Sequence, residues 1–444
     1  MFCTKKYGDF MNVYFLTFGC KVNLYETENM KQLFSEAGYT VSAEENDADI
    51  FVVNSCTVTG TGDKKLKKEL RRLRRNYGNS VIVLTGCFPQ AFSEEAEKIP
   101  EADIVTGTKK RAELPMLVEN FIKEKNRIFS VCPYTRDEKF EDMRNTRYEN
   151  NTRAFLKIQD GCGMFCTYCI IPYSRGNFRS KPIESIIAET EGFAAAGYKE
   201  IVLAGINLSF YGVDFGKRLA DAVEAVCGID GIERVRLSSI EPETITEEDV
   251  KRLSKLDKLC PHFHLSMQSG CDKTLKDMNR RYLSADYEKL VNNLRNNFTD
   301  CSITTDIIVG FPDETEEDFL ASLKFAEKMG FAKAHIFPYS KRSGTPAAEM
   351  ENQVPEEVKH RRAAKMASAL EKSKEKFLKT QVGKVFPVLF EREKADGLHH
   401  GYTPNYTPVK ILTKYSDKSL RNSIFYVKIV SVEKNFCIGE IVNN

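Results

Sequence analysis

The chain has 444 residues, a formal net charge of +2 and 42% hydrophobic residues. That length accommodates two or three domains with apolar cores, and the near-neutral charge leaves any nucleic-acid contact to local basic patches. No apolar run approaches the ~20 residues of a membrane helix, so a soluble, cytoplasmic protein with no membrane contact is expected.

Thirteen cysteines without a secretory leader suggest metal ligation or buried thiols, not a disulfide framework. Met11 offers an alternative start, which would make the first ten residues dispensable. From there to about residue 125, short apolar runs alternate with amphipathic stretches. VYFLTF (13–18), DIFVVN (49–54) and VIVLTG (81–86) read as strands, with helices over 24–37 and 64–75. Alternation of this kind predicts a parallel sheet with helices on its faces. Cys20, Cys56 and Cys87 each follow one of the three strands. Loops after parallel strands gather at one sheet edge, so three scattered cysteines converge there. A single cysteine at a strand end is ordinarily a small buried residue. Three from three strands predict a metal-cluster site.

The run KKLKKELRRLRR from Lys64 carries eight basic residues and one acidic residue. Two readings apply: a solvated helix face, or a phosphate-binding surface. The charged stretch 126–150 reads as an exposed linker.

A second segment, roughly 152–375, repeats strand then helix about six times. Strands are expected at 154–158, 200–204, 234–238, 262–267, 304–309 and 334–338, with helices such as 182–196 and 316–328. Six units are too few for a closed eightfold barrel, so a partial barrel is expected, with its catalytic face at the strand C-termini. Immediately after the first strand comes DGCGMFCTYC, with Cys162, Cys166 and Cys169 in C-x3-C-x2-C spacing. Three thiolates can hold three corners of a 4Fe–4S cubane and leave the fourth iron open. Structural zinc wants a fourth ligand, disulfides want an oxidising compartment, and bacterial ferredoxins use a different run. An open iron can be chelated by the amino and carboxylate groups of S-adenosylmethionine (SAM), which then yields an adenosyl radical. Tyr168 could pack on that cofactor or in the core. Arg175 could pair with a carboxylate or lie on the surface. A charged helix over 356–379 leads out.

The last segment, about 380–444, is β-rich, and from Leu378 onward it has ten Lys/Arg against six Asp/Glu. KVFPVLFE, PVKILTK and SIFYVKIVSV read as strands of a small barrel. With Tyr402, Tyr406, Phe425 and Tyr426 it reads as an RNA-binding module, or as a packing domain.

At this point the motifs become specific. TFGCKVNLYET, VVNSCTVT, LTGCFPQ, KIQDGCGMFCTYCIIPYSRGNFRSKP, LSSIEPE, HLSMQSG, TTDIIVGFPDETEEDF and HIFPYSKRSGTPAAEM cover nearly the whole chain. Together they resemble the radical SAM methylthiotransferase family, most closely the branch acting on threonylcarbamoyladenosine in tRNA. Sister branches act on isopentenyladenosine in tRNA or on an aspartate of a ribosomal protein. The resemblance implies an α/β fold in three parts: an N-terminal cluster domain (11–125), a partial (βα)6 radical SAM barrel (148–378) and a TRAM barrel (379–444).

It also implies two 4Fe–4S clusters and SAM as cofactors. Cys20, Cys56 and Cys87 would hold an auxiliary cluster that supplies sulfur, and Cys162, Cys166 and Cys169 the radical-generating one. SAM contacts would come from Tyr168, Arg175, Gly205, Asn207, Glu241, Gln268, Ser269, Val309, Gly310 and Phe311. tRNA would meet Lys67, Lys68, Arg71, Arg72, Arg74 and Arg75, and a flavodoxin or ferredoxin would supply electrons. Asp313 and Cys271 depart from the commoner family pattern. Cys271, like Cys3, Cys132, Cys227, Cys260, Cys301 and Cys437, matches no ligand motif.

Overall fold

A computed structural model describes residues 11–145, 148, 151–391, 398–412 and 419–442. Cys3 and the first ten residues lie outside the described residues.

The N-terminal sheet has six strands: β1 (Asn12–Thr17), β2 (Thr40–Val41), β3 (Ile50–Ser55), β4 (Val81–Gly86), β5 (Ile104–Thr106) and β6 (Ile128–Ser130). All pair in parallel, in the order β2-β1-β3-β4-β5-β6. The strand order reverses between β1 and β3, where doubly wound folds open their ligand crevice. Both faces of β3 and β4 are buried, which their unbroken apolar runs require. Helix α1 (Lys21–Glu36) lays Met30 and Phe34 on one face of the sheet with Val13, Ile50 and Val52. Helix α2 (Gly60–Asn76) starts at Thr59, whose hydroxyl accepts from the Gly62 N–H. It buries Leu66, Leu70 and Leu73 against Phe51, Val53, Ile82 and Leu84. Strand β6 falls inside the stretch expected as an exposed linker. Asn145 and Tyr148 there are buried: the Asn145 N–H donates to Glu189, and Tyr148 stacks on Phe193 while its N–H donates to the Tyr198 hydroxyl.

The second segment is an open arc of parallel strands. β7 (Arg153–Lys157) pairs with β10 (Glu200–Ala204), which pairs with β11 (Arg234–Leu237). After Ser238 the chain continues as β12 (Ser239–Ile240), which pairs with β13 (His262–Leu265), β14 (Ser302–Val309) and β15 (Lys333–Pro338) in turn. A small antiparallel pair, β8 (Gln159–Asp160) with β9 (Arg179–Ser180), flanks the first cysteine loop. The arc is the expected partial barrel. Strand β15 leaves Lys333, His335 and Phe337 exposed on alternate residues, as befits an edge strand.

The last segment is a closed five-strand barrel: β16 (Val385–Phe390), β17 (Leu398–Tyr402), β18 (Pro408–Leu412), β20 (Phe436–Ile441) and β19 (Ile424–Glu433), in that order around the ring. Its Thr403–Thr407 loop seats against the start of the arc. Arg153 donates to the Tyr406 hydroxyl at 2.9 Å, and the Arg236 guanidinium lies 4.5 Å over the Tyr406 ring. Arg234 and Arg236 also donate to the Tyr402 and Pro404 carbonyls. Tyr402 and Tyr406 thus pack between domains, whereas Phe425 and Tyr426 stay exposed on β19.

Candidate active site

Cys20 is the N-cap of α1, Cys56 follows β3, and Cys87 opens the short helix Cys87–Ala91 after β4. The three meet at the strand-order reversal. Gly19 (φ +107°) is so close to Cys56 that a Cβ there would fall 2.6 Å from the Cys56 Cβ. Gly86 (φ +97°) is held against the Ser55 carbonyl, where a Cβ would fall 2.5 Å away. Positive φ and close approach both demand glycine. Sequence reasoning missed these two residues, although a Gly-Cys pair after β1 and again after β4 was the available signal.

Burial pushes the Cys56 thiol up to about 12 and raises Cys87 as well. As free thiols they are neutral, and a bound metal cluster would supply the positive charge that deprotonates them. Three thiols converging at a crevice with glycine-tight backbone fit an iron–sulfur cluster.

The second triplet lies beyond β7. Cys162 receives the Asn207 amide at 3.7 Å and Cys166 receives Arg280 at 3.4 Å. Arg280 also pairs with Glu241. Burial raises all three thiols, Cys162 to about 11. The Asn207 Oδ1 is buried with no hydrogen-bond partner. An orphan acceptor beside a cysteine loop suits an ammonium donor such as the SAM amino group. Arg280 was also missed, since nothing in MNRRYL marks which arginine reaches a thiol.

Other expected residues are placed as follows. Gly205 packs on Gln159, which also accepts the Asn207 N–H at 2.7 Å. Tyr168 packs with Met278, Phe311 and Tyr339 in a small cluster behind the loop. Gln268 sits at φ +58° and bridges to Ile307. Ser269 is buried and faces Ser322, while Val309 is core. A Cβ on Gly310 would strike Lys359, and the Gly310 N–H donates to Glu314. Arg175 does find a carboxylate, but it is Glu26 of the N-terminal sheet domain, and its Nε donates to Cys87 Sγ at 3.2 Å.

A cavity of about 630 Å³ opens between the N-terminal domain and the arc. Gly19, Cys20 and Lys21 border it from the N-terminal domain, and Ala204, Gly205, Ser238 and Ser239 from the barrel. Its walls carry His262, His264, His335, Lys333, Asp306 and Phe337. His264 lies 3.2 Å from Asp306. Burial lowers Lys21 to about 8, helped by Arg153 and Arg236.

On α2, the expected basic surface is largely committed within the domain. Lys67 pairs with Glu95, Arg72 with Glu45 and Glu69, and Arg74 with Asp103 at 2.6 Å. Arg71 is exposed, 3.7 Å from Glu101, and Lys64, Lys68 and Arg75 are exposed with it.

An open parallel arc with a three-cysteine loop after its first strand is the radical SAM architecture. The Radical SAM superfamily matches residues 156–326, and Uncharacterized protein family UPF0004 matches residues 12–107. Among solved structures, a radical S-adenosylmethionine methyltransferase, TsrM, from Kitasatospora setae aligns with TM-score 0.58 at 13% identity, covering 76% of this chain and 74% of that one. The threonylcarbamoyladenosine tRNA methylthiotransferase MtaB of Bacillus subtilis is 38% identical over 439 residues, 97% of this chain and 96% of that protein. The tRNA-2-methylthio-N(6)-dimethylallyladenosine synthase of Caldicellulosiruptor saccharolyticus is 36% identical over 98% of this chain and 94% of its own. The chain belongs to the radical SAM methylthiotransferase family.

Proposed function

We propose that this enzyme places a methylthio group on carbon 2 of threonylcarbamoyladenosine, next to the tRNA anticodon. The observation that carries this reading is the chemistry of the cavity beside Cys20, between the N-terminal domain and the arc. Two ammonium groups (Lys21 and Lys333) and three imidazoles line it together with Asp306, which His264 meets at 3.2 Å. A threonylcarbamoyl group ends in a carboxylate, which such a wall can pair. An isopentenyl group is hydrocarbon, and desolvating these cations against it gains no compensating bond. Phe337, 45% exposed, offers a ring on which an everted base can stack. Similarity to the Bacillus subtilis MtaB over nearly the whole length supports the same branch.

In this reading Cys162, Cys166 and Cys169 hold a radical-generating 4Fe–4S cluster, and Cys20, Cys56 and Cys87 an auxiliary one. Bound there, the two clusters and SAM supply the adenosyl radical and the sulfur. Asn207 accepts from the SAM amino group through its orphan Oδ1, and Arg280 keeps a charge on Cys166. Tyr168 and Phe311 pack behind the loop and exclude water. The cavity brings the adenine to lie between Cys20 and Gly205. The units are assigned as 11–125 for sulfur delivery, 148–378 for radical chemistry and 379–444 as a TRAM domain.

tRNA phosphates are assigned to the exposed stripe Lys64, Lys68, Arg71 and Arg75, which recur at helical spacing. The paired Lys67, Arg72 and Arg74 hold α2 to its domain. Among the described residues no helix is long and apolar enough to cross a membrane, and the twelve described cysteines are free thiols. A cytoplasmic setting and a flavodoxin or ferredoxin as electron source belong to the same proposal, by similarity to tRNA-modifying relatives.

Mass spectrometry of tRNA nucleosides from a deletion strain tests the reading. Loss of methylthio-threonylcarbamoyladenosine with the isopentenyl product intact supports it. The converse loss overturns it.

A further inference from the structure

Arg175 belongs to the radical-core cysteine loop but spends its side chain on the other triplet. It ends the short helix Ile171–Arg175, which begins two residues after Cys169. The turn behind it is pinned, since a Cβ on Gly176 (φ +66°) would meet the Tyr134 ring at 2.6 Å. From there the guanidinium crosses the domain boundary. Its Nε donates to Cys87 Sγ at 3.2 Å and its Nη2 to Asn23 Oδ1 at 2.9 Å. Asn23 in turn faces Cys20 Sγ at 3.7 Å.

The surrounding charges do not balance without a thiolate. Buried here are the cations Arg111, Lys157, Arg175 and Arg179, against the buried carboxylates Glu26 and Asp160 and the partly exposed Glu141. Glu26 is already served by Arg111 at 3.0 Å and Lys157 at 2.7 Å. Arg175 shares Glu26 with these two cations, so its charge is only partly matched there, and its Nε points at Cys87. A buried cation is tolerated only when paired, and a cluster-bound sulfur is the further anion in reach beside Glu26.

We infer that Arg175 is a positioning residue that links the two triplets: it donates a charged N–H to the Cys87 sulfur and raises the reduction potential of the auxiliary cluster. Charge and hydrogen bonds at cluster sulfurs are what set such potentials. The inference rests on the reading of Cys20, Cys56 and Cys87 as cluster ligands. That reading is tested separately, by whether Cys87→Ala abolishes the cluster.

The experiment uses the full chain with Cys162, Cys166 and Cys169 all changed to Ala, so that only the auxiliary triplet can bind. It is reconstituted anaerobically with iron and sulfide and titrated with dithionite under electron paramagnetic resonance. Arg175→Gln is expected to reduce about tenfold less readily, a shift of about 59 mV to lower potential for one electron. Arg175→Lys, which keeps the charge but not the fixed fork, is expected to recover part of it. Arg111→Gln removes an arginine from the same carboxylate without touching Cys87 and is expected to leave the midpoint in place. An unchanged midpoint in Arg175→Gln overturns the inference, as does an equal shift in Arg111→Gln. If Arg175→Gln takes up no cluster, Arg175→Lys decides: a midpoint equal to the parent's overturns the proposal, and a lowered one supports it.

Discussion

Gly19 lies directly against Cys56, with no room for even a methyl group between them: a Cβ on Gly19 would sit 2.6 Å from the Cys56 Cβ and 2.9 Å from its sulfur. The positive φ of Gly19 adds strain to any side chain placed there. Gly19→Ala is therefore expected to push Cys56 aside and empty the auxiliary site. Iron per reconstituted chain should fall by about half, because the other triplet is untouched. Full iron content in this variant would contradict the cysteine assignment.

Arg280 touches Cys166 and Glu241 at once. Arg280→Gln removes the charge that faces the sulfur and leaves Glu241 unpaired. SAM cleavage to 5′-deoxyadenosine should drop about ten- to a hundredfold, while the iron spectrum of a chain lacking the second triplet stays as it was. Cleavage at the parent rate would mean that Arg280 serves packing alone.

Changing Lys64, Lys68, Arg71 and Arg75 together to Gln should weaken tRNA binding. The slope of log affinity against log salt should become shallower by about 0.7–0.9 for each phosphate that is no longer neutralised. Arg74→Gln is expected to act differently. It breaks the 2.6 Å pair with Asp103 and the bonds to the Glu101 carbonyl, and so lowers melting temperature without altering the slope.

Glu26 is buried, which alone would raise its pKa, but Arg111, Arg175 and Lys157 outweigh burial and hold it down to about 2. Its folded value lies below its unfolded one. The stability it contributes is thus present above about pH 4.5 and is lost as pH falls through about 2. Glu26→Gln should cost about 3–5 kcal/mol at neutral pH, since it strands buried cations. Its stability should also fall less steeply on acidification than the parent's. Chemical denaturation at several pH values measures both, and parallel acid limbs would remove Glu26 from the account.

Tyr406→Ala should loosen the seat of the small barrel. Arg153, Arg236 and His262 all touch that ring or its hydroxyl. The melting temperature should fall, with iron content intact.

The longer strands of the first two segments were legible because buried parallel strands must be apolar without interruption, as in FVV and VIVL, whereas the two-residue β2 and three-residue β5 were not singled out. The dispersed cysteines were legible for a related reason: parallel topology sends every strand's exit loop to one edge. Strand β6 was hidden because it is short and set in charged sequence. Strands β17 (LHHGY) and β20 (FCIGEI) were not singled out, since glycine and histidine dilute the β-branched signal. The partners of Arg175, Arg280 and Arg74 could not be read at all. A long side chain reaches a partner chosen by tertiary packing, and no periodicity records that choice. The same holds for Tyr402 and Tyr406, whose aromatic character fits RNA as well as the arginines they meet.

The charge network across the first two domains has a consequence for recombination. Glu26 and Arg111 come from the N-terminal domain, Glu141 from the connecting stretch, and Lys157, Asp160, Arg175 and Arg179 from the arc. A chimera that joins the N-terminal half of one relative to the barrel of another inherits only part of this set. Unless both parents carry matching residues, it must bury an unmatched charge at the seam. The two halves are therefore bound to travel together, and a functional graft between relatives has to move these seven positions as a unit.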